Sequence, residues 1–195
     1  MTNLLYVCRY NVDRSPVAAL IMRRKAPNAS TLNISSAGLS HYKSYPLFGV
    51  TDEMGETLRE LGYQPERHQN RKLTNDLLCS QDLIFCMEKS HVKEVLQKEP
   101  SLKDKVYTLP EYAGFPKEEI HAPSDLIRKV PAFFIWHYMP HNVRHSVYGV
   151  FGHTDPRDYN GVMKIHRVIV QEIEFYVGKT LERMIREELI SSPTP

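Results

Sequence analysis

Short, wholly apolar runs alternate along this chain with stretches in which apolar residues recur at helical spacing. Leu4 to Val7, Thr31 to Ser36, Leu83 to Met87 and Val106 to Leu109 read as strands, the third being apolar throughout, as expected for a strand buried on both faces of a parallel sheet. Between them lie predicted helices over Val17 to Lys25, Pro46 to Leu61 and Lys89 to Lys98, with a shorter one after Thr74 that includes Cys79. Gly62 marks a stop just past the second helix. A last helix over Gly161 to Leu189 sets Val162, Ile165, Ile169, Ile173, Val177, Leu181 and Met184 on one face, and the tail beyond it is frayed. This order predicts an α/β fold, an open four-stranded parallel sheet with helices on both faces.

The pattern breaks once, from Pro110 to His153. That stretch is rich in proline and aromatic residues (Phe133, Phe134, Trp136, Tyr138) and in histidines (His137, His141, His145, His153). It reads as an insertion at about 110 to 153 in a single domain of 195 residues, shaping a pocket or meeting a partner. The histidine spacing of four suits a helical metal site, but Pro140 falls inside it and no carboxylate or cysteine joins, so no metal site is expected.

Composition narrows the function classes. Lys and Arg number 25 against 23 for Asp and Glu, a net charge of +2, which argues for neither a nucleic acid nor a membrane surface as partner. The chain lacks the basic, apolar, small-residue order of a signal peptide, and no apolar run approaches the roughly twenty residues of a membrane span. Three cysteines without a paired framework fit a reducing cytoplasm.

The chemistry concentrates at the end of the first strand, where Cys8, five residues, Arg14, Ser15 and Pro16 lead into a helix. Ser15 suits a helix cap and Pro16 the first helical position. In so tight a turn the backbone N–H groups point inward and, with the positive end of the helix, form a cradle for an oxyanion such as phosphate or sulfate. A cysteine at its base is stabilised as the nucleophilic thiolate, and the Arg14 fork matches two phosphoryl oxygens.

The segment VCRYNVDRSP resembles the signature of low-molecular-weight protein tyrosine phosphatases, V-C-x-G-N-x-x-R-S-P, through Val7, Cys8, Asn11, Arg14, Ser15 and Pro16. Tyr10 replaces the usual glycine, whose lack of a side chain lets backbone approach phosphate closely, and Asp13 replaces a second cysteine found in many members. Further segments carry the likeness: His68, Arg71, Leu73 and Thr74 fit H-x-x-R-x-[IL]-T, DLIFCMEKSH resembles D-x-I-x-x-M-[DE], and Asp155-Pro156 fits the family's Asp-Pro motif. The resemblance implies a cytoplasmic phosphatase, without cofactor, that hydrolyses phosphomonoesters of phosphorylated proteins or small molecules through a cysteinyl phosphate. Cys8 is the implied nucleophile, Arg14 the phosphate clamp and Asp155 the general acid, with Asp158 the fallback.

Substrate contacts are implied for Arg9, Tyr10, Asn11, Val12, Asp13, Ser15, Tyr42 and Arg157, and supporting roles for Ser36 and His68. Ser36 reads equally as a turn serine and Tyr42 as an ordinary tyrosine. Arg9 and Arg157 make the rim more basic, favouring an anionic substrate. Three matters stay open on sequence: a phosphate-binding regulatory module with little turnover, an arsenate reductase of the same fold relaying a disulfide through Cys86, and assembly as a homodimer.

Overall fold

The computed structural model describes residues 1 to 26, 29 to 40, 49 to 121 and 156 to 190, with side chains of 29 and 156 to 162 set aside. Strands β1 (Thr2–Cys8), β2 (Leu32–Gly38), β3 (Leu83–Cys86) and β4 (Val106–Thr108) form one sheet in the order β2-β1-β3-β4. Every neighbouring pair is parallel, with Cys8 opposite Gly38 and Val7 opposite Cys86 at the carboxyl edge. This is the fold class expected.

Alternation along β1 divides the core. Leu4, Tyr6 and Cys8 face α1 (Arg14–Lys25), α2 (Asp52–Glu60) and the last helix, whereas Leu5 and Val7 face the side of α3 (Asn75–Cys79) and α4 (Lys89–Lys98). Helix α1 is buried from Arg14 through Met22, while its last turn carries Arg23, Arg24 and Lys25 where cations complement the dipole.

Several element boundaries moved. The second helix, expected from Pro46, starts at Asp52, because the Thr51 hydroxyl accepts the Met54 N–H at 3.3 Å and Asp52 and Glu53 follow in the first turn. Residues 41 to 48 lie outside the described chain. The fourth strand ends one residue early, since Thr108 and Glu111 form a capping box that opens a short helix, α5 (Leu109–Tyr112), where sequence suggested only insertion.

The last helix, α6 (Pro156–Arg186), is 31 residues and so about 46 Å long. It begins five residues before the expected Gly161, with proline at the position whose missing N–H costs nothing. Ile169, Ile173, Val177 and Met184 are fully buried against α1 and α2, each such side chain contributing roughly 2 kcal/mol. Among the described residues no helix is long and apolar enough to cross a membrane.

Candidate active site

Strand β1 delivers Cys8 to the carboxyl edge of the sheet, and the five residues before Arg14 curl back over its sulfur. The Asn11 N–H points at Sγ from 3.3 Å, and the Ser15 hydroxyl lies 3.0 Å from it. Ser15 was expected to cap α1, but its hydroxyl turns to the sulfur and makes no cap; the N-cap position is held by Asp13, whose side chain makes none either. Cys8 is 3% exposed.

The turn depends on one backbone angle. Asn11 has φ 56°, and apart from Glu188 it is the only described non-glycine residue at positive φ. Tyr10 is not at positive φ, so the backbone angle at that position does not itself call for glycine. The glycine the loop needs stands on β2: a Cβ on Gly38 would lie 2.7 Å from the Tyr10 carbonyl carbon and 2.8 Å from the Asn11 nitrogen. With no side chain there, Leu39 N–H reaches Cys8 O at 3.1 Å and Ser40 N–H reaches Arg9 O at 2.9 Å.

Asn11 is also the hub of the buried polar network. Its Nδ2 donates to Ser15 Oγ at 3.0 Å and to Ser36 Oγ at 2.9 Å, and its Oδ1 accepts the Arg71 N–H at 3.1 Å. Arg71 Nε in turn donates to the Ser36 carbonyl at 2.8 Å. His68 was expected in the network that holds Ser36 and the loop; its Nε2 lies 2.8 Å from the Asn11 carbonyl of the loop, and Arg71 bonds Ser36. Burial pushes the His68 ring pKa below its usual value, so the neutral ring donates Nε2–H to that carbonyl.

Arg14, 5% exposed, is held at one nitrogen. Its Nη1 pairs with the Glu88 carboxylate and donates to the Ile120 carbonyl at 2.6 Å, while Nε and Nη2, the two-pronged edge, make no bond to a described residue. Burial alone would raise the Glu88 carboxyl, but the guanidinium outweighs it and holds the group below the ordinary carboxylate range. His91, 1% exposed and beside Glu88, is pushed by burial down to about 4.

Several side chains expected at the substrate are occupied elsewhere. Asp13 Oδ1 accepts both the Thr51 N–H at 3.1 Å and the Thr51 hydroxyl at 2.9 Å, so its carboxylate ties the loop to the start of α2. Arg9 donates to Glu94 on α4 at 2.6 Å, which offsets the rim charge assigned to it. Val12 is buried, leaving its backbone alone for an anion. Tyr10 is 38% exposed beside the loop. Tyr42, Asp155, Asp158's side chain and the cluster Phe133, Phe134, Trp136, Tyr138, His137, His141, His145 and His153 lie outside the described residues; Arg157 lies in the first turn of α6, its side chain also outside.

Glu88, Ile120, Thr51, Glu94 and Gly38 were not anticipated as parts of this site. Only Glu88 had a local signal, as the acid closing the M-[DE] run. Cys86 is fully buried and faces Leu5, Val7 and Ile84, the opposite side of the sheet from Cys8, and burial pushes its thiol far up. It is badly placed to relay a disulfide.

A family profile described as low molecular weight phosphotyrosine protein phosphatase matches residues 3 to 133. A low molecular weight protein-tyrosine-phosphatase, Ptp, of Acinetobacter johnsonii is 33% identical over 113 residues, 57% of this chain and 75% of its own length. Among solved structures, the YwlE arginine phosphatase of Geobacillus stearothermophilus superposes with a TM-score of 0.68 at 19% identity over 100% of both chains. Vibrio vulnificus Wzb in complex with benzylphosphonate does so with a TM-score of 0.65 at 21% identity, over 93% of this chain and 98% of its own. At these identities the structural likeness speaks to the fold.

Proposed function

The chain belongs to the low molecular weight phosphotyrosine protein phosphatase family, cysteine-dependent hydrolases, and from that premise we propose that it hydrolyses phosphomonoesters through a phosphocysteine at Cys8. The observation that carries the reading is the Cys8 sulfur under the Asn11 N–H and the Ser15 hydroxyl, beside an arginine whose Nε and Nη2 make no bond to a described residue.

In the first step the Cys8 thiolate attacks phosphorus, forming the S–P bond as the P–O bond to the leaving group breaks. Asp155 delivers its proton to the departing oxygen. Arg14, through Nε and Nη2, and the loop N–H groups hold the equatorial oxygens as charge builds on them. In the second step Asp155 takes a proton from water, the water oxygen bonds to phosphorus, and the S–P bond breaks to return thiolate and inorganic phosphate. Ser15 donates to the thiolate in both resting states, and Asn11, Ser36, His68 and Arg71 keep the loop in shape for it.

The substrate is an aryl phosphate, first of all phosphotyrosine on a protein, with Tyr10, Tyr42 and Arg157 at the rim. The Ser15 hydroxyl on the Cys8 sulfur supports turnover over a purely phosphate-binding module, and the facing of Cys86 supports hydrolysis over arsenate reduction. We place the enzyme in the cytoplasm, in keeping with its three free cysteines.

The test is hydrolysis of phenyl phosphate, phosphotyrosyl peptide and phosphoarginyl peptide by the wild type and by Cys8→Ser. Cysteine-dependent release from the first two, faster than from the third, is expected. Phosphate binding without release from any of them would leave the module, and a preference for phosphoarginine would move the substrate class.

A further inference from the structure

Helix α4 leaves the active-site edge of the sheet with its charges arranged against its own stability. Lys89 is its first residue, where the positive end of the helix dipole disfavours a cation, and the first turn holds no acid. Glu88, at the cap position, makes no cap because its carboxylate is spent on Arg14. Lys93 follows at the i+4 position, so two like charges share one face, an arrangement that weakens a helix. Both lysines are exposed, and neither ammonium has a carboxylate partner among the described residues, although Arg9, Arg14 and His91 all have one nearby. The Glu119 carboxylate, which accepts the Lys89 N–H, is the one described acid set against this helix start, and it leaves both ammonium groups to the solvent side.

These lysines wall a groove. A cavity of about 460 Å³ is lined by Lys89, Val92, Lys93, Leu96 and Gln97, one stripe of α4, and by Glu111 of α5. Val92 and Leu96 are partly buried and make an apolar floor against the core on that side of the sheet. The groove begins one residue along the chain from the Arg14 anchor. The Lys89 N–H donates to Glu119 at 2.6 Å, so Lys89 is the chain neighbour of Glu88 and is bonded to the chain neighbour of Ile120, the two groups that hold Arg14. Arg9 of the phosphate loop also anchors to this helix, at Glu94.

We propose that this groove docks the segment of a phosphorylated protein substrate that flanks the phosphoresidue, and that it selects segments with carboxylates facing Lys89 and Lys93 and an apolar side chain on Val92 and Leu96. The inference rests on the phosphatase reading and narrows its substrate to phosphoproteins with acidic, apolar flanks. The unpaired ammonium pair supplies the charge complementarity, and the floor supplies apolar area, so recognition combines sign with burial.

The experiment compares two phosphotyrosyl peptides, one flanked by Glu and Leu and one by Lys and Ser, with phenyl phosphate as the small substrate, for wild type and Lys89→Glu/Lys93→Glu. Wild type is expected to show a KM roughly tenfold lower for the acidic peptide, and the variant to lose or invert that preference, with the difference shrinking as salt is added. Turnover of phenyl phosphate stays unchanged in the variant. Equal KM values for the two peptides in the wild type, a preference that survives charge reversal, or slower phenyl phosphate hydrolysis in the variant would each overturn the proposal. So would a concentration-dependent dimer, seen by sedimentation, that the same substitutions dissolve, since the groove would then be an interface between copies. Should the wild type fail to hydrolyse phenyl phosphate at all, the phosphatase reading falls separately, and peptide binding to Cys8→Ser by calorimetry still decides whether the groove discriminates.

Discussion

Replacing Asn11 tests whether the phosphate loop is held by one buried amide. In Asn11→Ala the Ser15 and Ser36 hydroxyls lose the donor at 3.0 and 2.9 Å, and the Arg71 N–H loses its acceptor at 3.1 Å. Each net bond contributes about 1 kcal/mol, and two of the groups left behind, the Ser15 and Ser36 hydroxyls, are buried. An alanine held at φ 56° adds roughly 1 kcal/mol of backbone strain, so the whole loss is about 4 kcal/mol. Asn11→Gly removes the same bonds but not the backbone freedom, and should lose about 1 kcal/mol less. Urea unfolding followed by circular dichroism reads both values, with a shift in midpoint at constant slope, and kcat on phenyl phosphate should fall in both variants. Should Asn11→Ala unfold within about 1 kcal/mol of wild type and retain its kcat, the loop is held by something other than this network.

Three further outcomes follow from the same geometry. Gly38→Ala pushes a methyl group into the backbone of Tyr10 and Asn11, and should cost about 2 kcal/mol and raise the inhibition constant of inorganic phosphate; an unchanged constant would mean the loop moves freely away from β2. Because both Thr51 bonds fall on Asp13 Oδ1, Asp13→Asn should keep them while removing a negative charge near the cradle, tightening phosphate inhibition, whereas Asp13→Ala should lose about 2 kcal/mol on thermal or urea unfolding. His91, pushed from 6.5 to about 4, stays neutral in the folded chain while the unfolded chain takes up a proton below pH 6.5. Its contribution is therefore complete above pH 6.5 and is lost as pH falls toward 4, by up to about 3 kcal/mol; His91→Gln should flatten the wild-type decline of stability over that interval.

The four parallel strands, most of the helices and the loop that curls over Cys8 were legible because each has a local signature: apolar runs for β1 and β3, the Cys8 to Arg14 spacing, and histidine and arginine in a fixed motif after Gly62. Ser36 and His68 could be named as supports only through the family resemblance. What stayed hidden depends on pairs far apart along the chain. Arg14 and Glu88 are 74 positions apart and Arg14 and Ile120 are 106 apart, and no periodicity links them. Asp13 and Arg9 look like pocket residues in sequence because both flank the signature, yet Thr51 and Glu94 claim their side chains. Gly38 was hidden for a related reason: a left-handed angle and a close backbone contact are separate demands on the loop, the first met by Asn11 and the second by Gly38 on another strand. The boundary of α2 was readable in retrospect from Thr51 followed by two acids, a stronger start signal than Pro46.

The account stands on a phosphoryl group passing through one sulfur. Acid quenching of Asp155→Asn during turnover of 4-nitrophenyl phosphate, followed by peptide mass spectrometry, tests it most directly, since that leaving group departs without a general acid while losing the base of the second step lets the intermediate accumulate. One phosphoryl group on the peptide carrying Cys8, absent once 4-nitrophenyl phosphate is omitted, is the result expected. Continued release of 4-nitrophenol with that peptide unmodified, or turnover surviving in Cys8→Ser, would contradict it.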